Sequence, residues 1–173
     1  AGNMLMLPPT VASLADFAAL AAQGAVLSYY RGADATAAPV VQLSVETVAA
    51  DWTTAQPVDA PFTALWRSAL YVPRYGSHQL ILESTHPASV TLDNSVVLDV
   101  PAGRQSVEMV LFGGFHTLSV QSVVPANSGS LRLLWRMPDA AEQIVARSNL
   151  YTVDVATNGL VGTHMIAFCG DMG

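Results

Sequence analysis

The chain contains no lysine among its 173 residues. All seven basic side chains are arginines: Arg31, Arg67, Arg74, Arg104, Arg132, Arg136 and Arg147. Without lysine there is no Schiff base, no amine general base and no P-loop lysine. Thirteen acidic residues set the formal net charge at -6, and charged residues make up 12% of the chain, about half the roughly 25% of an average globular protein. No basic patch is available to neutralise phosphates, which excludes general nucleic-acid binding. Cys169 is the single cysteine. Alone it makes neither an internal disulfide nor a thiolate metal site, and it leaves the redox compartment open. No apolar run reaches the roughly 18 residues of a membrane span. The stretch Met4 to Ala22 comes nearest, but Pro8, Pro9, Thr10, Ser13 and Asp16 interrupt it. It also lacks the positively charged start of a signal peptide.

What is present is apolar and β-rich. Hydrophobic residues reach 51%, which excludes a disordered chain and suits one domain of ordinary size. The opening Ala1-Gly2-Asn3 fits a fragment of something longer or a processed form. Residues 1–23 are expected to form a helical lead-in: Pro8 and Pro9 bar helix before them, Ser13 to Asp16 has N-cap spacing, and Gly24 is a C-terminal stop. From Gly24 the helical period disappears. Strands are expected at Ala25–Tyr30, Val40–Val45, Phe62–Val72, Gln79–Ser84, Ser89–Leu92, Val96–Val100, Ser106–Phe112, His116–Val124, Ser130–Met137 and Leu150–Val153. Val107, Met109 and Leu111 share one face, as do Leu118 and Val120, and Leu131, Leu133 and Trp135. Period two with one polar face marks antiparallel sheets on a core. Asp93-Asn94 is a two-residue hairpin turn, and Gly113-Gly114 predicts a second hairpin. The fold class expected is mainly β: an antiparallel, jelly-roll-like β-sandwich with a short N-terminal helix. Its body spans 24–155, and a tail spans 156–173.

Motifs for common chemistries are missing. His78, His86, His116 and His164 are dispersed, with no H-E-x-x-H and no Cys/His cluster. Gly-x-Ser-x-Gly and Ser-x-x-Lys are absent, and no glycine pattern leads from a strand into a helix. Glu83, Asp93, Asp99 and Glu108 lie at strand ends or outward positions, and nothing selects a glycosidase pair among them. Trp66 and Trp135 sit in alternating strands and are expected in the core. Trp52 and Tyr75 fall in loop-like contexts and are the candidates for exposed, sugar-stacking rings.

Five segments resemble, in order, the protective-antigen-type (PA-fourteen) domain of toxins, glycosidases and adhesins. Phe62-Thr-Ala-Leu-Trp66-Arg-Ser-Ala-Leu-Tyr71-Val-Pro73 is similar to its opening tryptophan strand. Tyr75-Gly76-Ser-His-Gln-Leu-Ile-Leu-Glu-Ser84 is similar to the next strand. Ser89-Val-Thr-Leu-Asp93-Asn94-Ser-Val-Val resembles its hairpin. Val107 to Gln121, with Gly113, and Ser130-Leu-Arg-Leu-Leu-Trp135-Arg-Met-Pro138 resemble its last motifs. With Ala25-Val-Leu-Ser-Tyr-Tyr30 the match covers roughly Gly24 to Tyr151. Gly159-Leu-Val-Gly162-Thr-His resembles the same opening again, as either the start of a repeat or an apolar tail.

The resemblance implies glycan binding. It also implies where the departures lie. The family's two calcium-binding aspartates fall on Thr85 and His86, its following glycine on Pro87, and its aromatic pair on His78 and Leu80. Thr85 and His86 are poor hard-cation ligands, so no metal and no cofactor is expected, and the sequence does not support calcium. The candidate ligand-binding residues are Thr85, His86, Asp93, Asn94, Trp52 and Tyr75, with no catalytic residues. The expected role is a non-catalytic, extracytoplasmic module of a larger envelope or secreted protein. Its partners would be glycans and neighbouring domains of the parent chain, not nucleic acid, and it would not insert into a membrane. One rival is a structural spacer in a membrane glycosyltransferase or secreted glycoside hydrolase. The other is a small β-sandwich hydrolase using Glu83 and Asp93.

Overall fold

Alternating apolar and polar residues between turn formers give twelve strands in the computed structural model, which describes residues 22–152. In order they are β1 (Ala25–Arg31), β2 (Val41–Val45), β3 (Ala49–Asp51), β4 (Phe62–Val72), β5 (Gly76–Ser84), β6 (Ala88–Leu92), β7 (Ser95–Val100), β8 (Gly103–Leu111), β9 (Gly114–Val124), β10 (Ser130–Arg136), β11 (Gln143–Ile144) and β12 (Leu150–Tyr151). The helical lead-in before Ala22, the tail, Cys169 and His164 lie outside the described residues.

Two antiparallel sheets form the sandwich. One runs β2-β1-β4-β9-β6-β7, with β12 also on β4. The other runs β11-β10-β5-β8, with β3 also on β10. The long pair β4 and β9 holds register from Phe62↔Val124 to Val72↔Gly114. From β4 onward the chain changes sheet at every connection except β6–β7 and β10–β11. This corrects one expectation: Gly113-Gly114 is a crossover corner and not a hairpin. β8 pairs with β5, whereas β9 pairs with β4 and β6. The turn residues suit either connection. Gly114 has φ +119°, and a Cβ on Gly113 would lie 3.7 Å from the Val72 carbonyl oxygen, so the corner is seated against the end of β4.

The inward-facing positions of both sheets meet in one core. Trp52, Trp66 and Trp135 are all buried. Trp52 contacts Phe62 edge-on, with centroids 5.8 Å apart, and its Nε1 donates to the Tyr29 hydroxyl at 3.3 Å. Burial pushes the Tyr29 hydroxyl's pKa up, partly offset by that bond. Burying a set of rings this large dominates the stability of a domain of this size.

Candidate functional site

The expected site residues divide between the two ends of β6. Thr85 and His86 precede it, and Asp93 and Asn94 follow it. Five residues of strand separate the two groups by roughly 16 Å.

The end with Thr85 and His86 is closed by hydrogen bonds, although Thr85 itself stays exposed. The Thr85 hydroxyl accepts from the Ser130 amide at 2.9 Å and donates to the Ser130 carbonyl. His86 Nε2 donates to the Ser128 carbonyl at 2.6 Å, and its ring lies tilted against Trp52 at 6.3 Å. Both side chains therefore tie the loop before β10 to the β5–β6 loop, and Gly129 fits between them. A Cβ on Gly129 would come within 2.2 Å of the Thr85 hydroxyl and 2.5 Å of His86 Nε2. Trp52 corrects the expectation of an exposed ring, since it is fully buried. Its amide donates to the Gly129 carbonyl at 2.8 Å, which draws it inward behind the three-residue strand β3.

The other end is open. Asp93 and Asn94 adopt φ 48° and 65°, the left-handed pair of a tight hairpin turn. Asp93 Oδ1 accepts from the Thr117 amide at 2.9 Å, and its Oδ2 accepts from His116 Nδ1 at 2.5 Å. His116 Nε2 donates to the Phe112 carbonyl at 2.8 Å, so both ring nitrogens point at acceptors. That carbonyl belongs to a residue that is 71% exposed. It packs on Tyr75, itself 65% exposed, with centroids 5.4 Å apart. Tyr75 was expected to be exposed, and it is. The crossover at Gly113 brings the loop Pro73–Tyr75 against this strand end. Tyr75, Phe112, His116, Asp93 and Asn94 therefore form one contiguous surface, which the crossover makes possible.

Phe112 and His116 were not among the expected site residues. The strand period held the signal for Phe112: if Leu111 faces in, Phe112 faces out, just before two glycines. His116 had no local signal, because its partner Asp93 is 23 residues away.

Glu83 stands elsewhere. On the outer face of the smaller sheet it pairs across strands with Arg104 at 2.5 Å and with Arg132. Arg104 also reaches Glu142 at 2.5 Å. Glu83, Arg104 and Arg132 edge an open trough of about 620 Å³ that also takes in Asp51, Thr85 and Ser130. The Arg132 hydrogen bond, aided by Arg104, holds the Glu83 carboxyl below its usual pKa range. A carboxyl held ionised by two guanidiniums is a poor general acid, and Asp93 lies beyond the far end of β6. The structure does not bring Glu83 and Asp93 together as a hydrolytic pair. Among the described residues no three of His, Cys, Asp and Glu come together to hold a metal ion.

No protein-family profile matches the chain, and no curated protein sequence matches it. Solved structures do match. An anti-sigma factor domain-containing protein from Clostridium clariflavum aligns with TM-score 0.68 at 20% identity, over 76% of this chain and 48% of that one. A PA14 sugar-binding domain from an RTX adhesin aligns with TM-score 0.62 at 12% identity, over 76% of this chain and 99% of the domain. The epithelial adhesin 9 A domain from Candida glabrata, in complex with Galb1-4GlcNAc, aligns with TM-score 0.61 at 9% identity, over 80% and 93%. The chain spans about half the length of the first two solved structures it matches. Likeness at these identities speaks for architecture, and the crossover sandwich built from β1 to β12 has a PA14-like fold.

Proposed function

We propose that this chain is a non-catalytic sugar-binding module of a larger extracytoplasmic protein, and that its site is the open end at Tyr75, Phe112, Asp93, Asn94 and His116. The observation that carries this reading is the pair of solvent-facing rings at Tyr75 and Phe112 beside the Asp93–His116 pair. Aromatic faces take up the apolar face of a pyranose, while the exposed carboxylate of Asp93 and carboxamide of Asn94 meet its hydroxyls, with His116 holding Asp93 in place. The fold it shares with an adhesin's sugar-binding domain supports the same reading. Metal-free binding fits the closed Thr85–His86 end, where both side chains are spent on backbone partners.

A glycan array read in calcium and again in chelator tests this. Retention of a glycan under both conditions is expected, with loss in the Tyr75→Ala/Phe112→Ala double variant. Retention of no glycan under either condition would sink the reading and leave the second one. That second reading is a spacer that positions neighbouring domains. It is favoured by the same closed end, and by the fact that this fold fills only about half of the first solved structures matched.

A further inference from the structure

An open sandwich leaves strand edges, and the long one here is β8. The larger sheet ends on β2 and β7, the smaller on β11 and β8. β11 has two residues and β2 five, and the pairing that holds β7 shifts register between Val90 and Thr91. β8 has nine residues and keeps one register with β5, from Gly76↔Leu111 to Ser84↔Gly103. Among the described residues its backbone makes ladder bonds to β5 alone, so one row of its N–H and C=O groups is unpaired. β7 touches both β8 and β5, which sets it over the sheet and not beside the free edge. Proline, bulges, lysine and inward-pointing charges keep edges from pairing, and β8 has none of them. Its two charged residues, Arg104 and Glu108, lie on the outer phase of the strand with Ser106 and Val110. Val110 is 58% exposed, and Val107 and Met109 are only partly covered by the core.

The spacing of the two charges selects the occupant. Antiparallel pairing about a two-fold axis sets each residue opposite one of the same phase. With the axis at Ser106, Arg104 faces Glu108 of the partner subunit, and Glu108 faces Arg104 of the partner subunit. Ser106 then faces its own copy, and the exposed Val110 faces Ala102 of the partner subunit. An axis at Arg104 or at Glu108 sets like charges opposite each other, and one at Gln105 or Val107 leaves both charges unmatched. Opposite charges facing across a strand pair stabilise it, and like charges destabilise it. Both groups keep capacity for a second contact. The Arg104 side chain is 49% exposed beside Glu83 and Glu142, and Glu108 uses one carboxylate oxygen on Ser77. We propose that β8 pairs with β8 of a second copy of this chain, antiparallel about Ser106, and joins the two smaller sheets into one. The pairing stands whether or not the open end binds a sugar.

The test is sedimentation of the full chain from about 1 μM to about 1 mM, the range of weak to moderate association. The wild type is expected to pass from monomer to dimer across it, because a single strand edge is a small interface. Glu108→Arg and Arg104→Glu each set like charges opposite at two places, and each should weaken dimerisation about tenfold or more. Mixed in equal amounts, the two variants face opposite charges again and should dimerise with each other as the wild type does. Arg104→Glu also disturbs Glu83, so a readout independent of charge is added: Ser106→Cys in a Cys169→Ser background. Directly opposed Cβ atoms approach disulfide distance. Mild oxidation should therefore give a covalent dimer of Ser106→Cys, and none of Ser44→Cys on the β2 edge. A wild type that stays monomeric throughout, a dimer as tight in Glu108→Arg as in the wild type, or no covalent dimer from Ser106→Cys overturns the pairing.

Discussion

At one end of β6, the side chains of Thr85 and His86 bond the backbone of Ser130 and Ser128, and Trp52 is buried behind them. At the other end, Asp93 and His116 also pair with each other and with backbone, yet the rings beside them, Tyr75 and Phe112, stand in solvent. The residue types at the two ends are alike: a histidine, small polar groups and aromatic rings. What differs is where the aromatic side chains go. Trp52 has a donor nitrogen that finds the Tyr29 hydroxyl inside the core, so burying it leaves no polar atom unmet. Phe112 follows an inward Leu111 and so falls on the outer phase of its strand. The same polar vocabulary therefore builds a lock at one end and an exposed surface at the other.

Removing a ring from each end should separate these roles most sharply. Trp52→Ala is expected to cost about 3–5 kcal/mol of stability, as large core truncations do. Phe112→Ala should stay within about 0.5 kcal/mol, as surface changes do. Urea melts of the two variants measure both. A Phe112→Ala cost close to that of Trp52→Ala would mean the open end is core, and the contrast would collapse.

The closed end can also be probed through its packing. Gly129→Ala places a Cβ against Thr85 and His86 at φ +104°, whereas Gly103, at φ +99°, has nothing within 4 Å of its Cβ position. Both substitutions incur backbone strain of order 1–3 kcal/mol, and the steric term falls on Gly129→Ala alone. Gly129→Ala should therefore be clearly the less stable of the two in denaturant titration. Equal losses would show that the lock around Gly129 has slack.

Much of this architecture was legible in the residues, and the failures have physical causes. The bounds Phe62–Val72 are legible to the residue, because an eleven-residue, mostly apolar run between Pro61 and Pro73 leaves little choice for a strand buried on both faces. The inward set Leu131, Leu133 and Trp135 was legible by the same period. The turn at Asp93-Asn94 was legible because those two side chains tolerate left-handed backbone. Strands β3 and β11, of three and two residues, were not, since they are too short to show a period. Trp52 was misplaced for the same reason: the Gly129 carbonyl and Tyr29 hydroxyl that bury it are distant in sequence. Gly113-Gly114 reads as a hairpin in the sequence because glycine pairs serve both connections, and only pairing partners far along the chain separate them. Of the candidate site, Tyr75, Asp93 and Asn94 were named from local context. His116 required a long-range contact.

Polar atoms go unmet in the core on both sides: Trp66 Nε1 has no partner in the layer of Trp52, and a second group lies near Gly76. His78 is buried against Trp135 at 5.9 Å, with Nδ1 donating to the Gly76 carbonyl, but its Nε2 and the Trp135 Nε1 have no partner. Replacing an unmet polar atom with an apolar one of similar size relieves a desolvation cost of about 1–3 kcal/mol, offset by any mismatch in shape. His78→Leu is therefore expected to hold or raise the thermal midpoint, in contrast to Trp52→Ala. A large drop would show that the imidazole has a polar role in that layer.

The smallest effect is expected at the outer face near the closed end, where Glu83 sits between Arg132 and Arg104. The Arg132 hydrogen bond lowers its folded pKa. A depressed carboxyl adds stability above its unfolded value, about 4.3. That contribution is lost as pH falls through the lower folded value. Glu83→Gln removes the titration and keeps the shape. The gap in thermal midpoint between wild type and Glu83→Gln should accordingly be level from about pH 8 down to about pH 6, and should close in the acid range below about pH 4. The arginine partners are about half exposed, so solvent screening keeps that gap small, and added salt should narrow it further. A gap that persists unchanged into acid would mean that Glu83 stabilises the sheet by packing and not by charge. The closed end would then owe its rigidity entirely to the Thr85, His86 and Gly129 contacts.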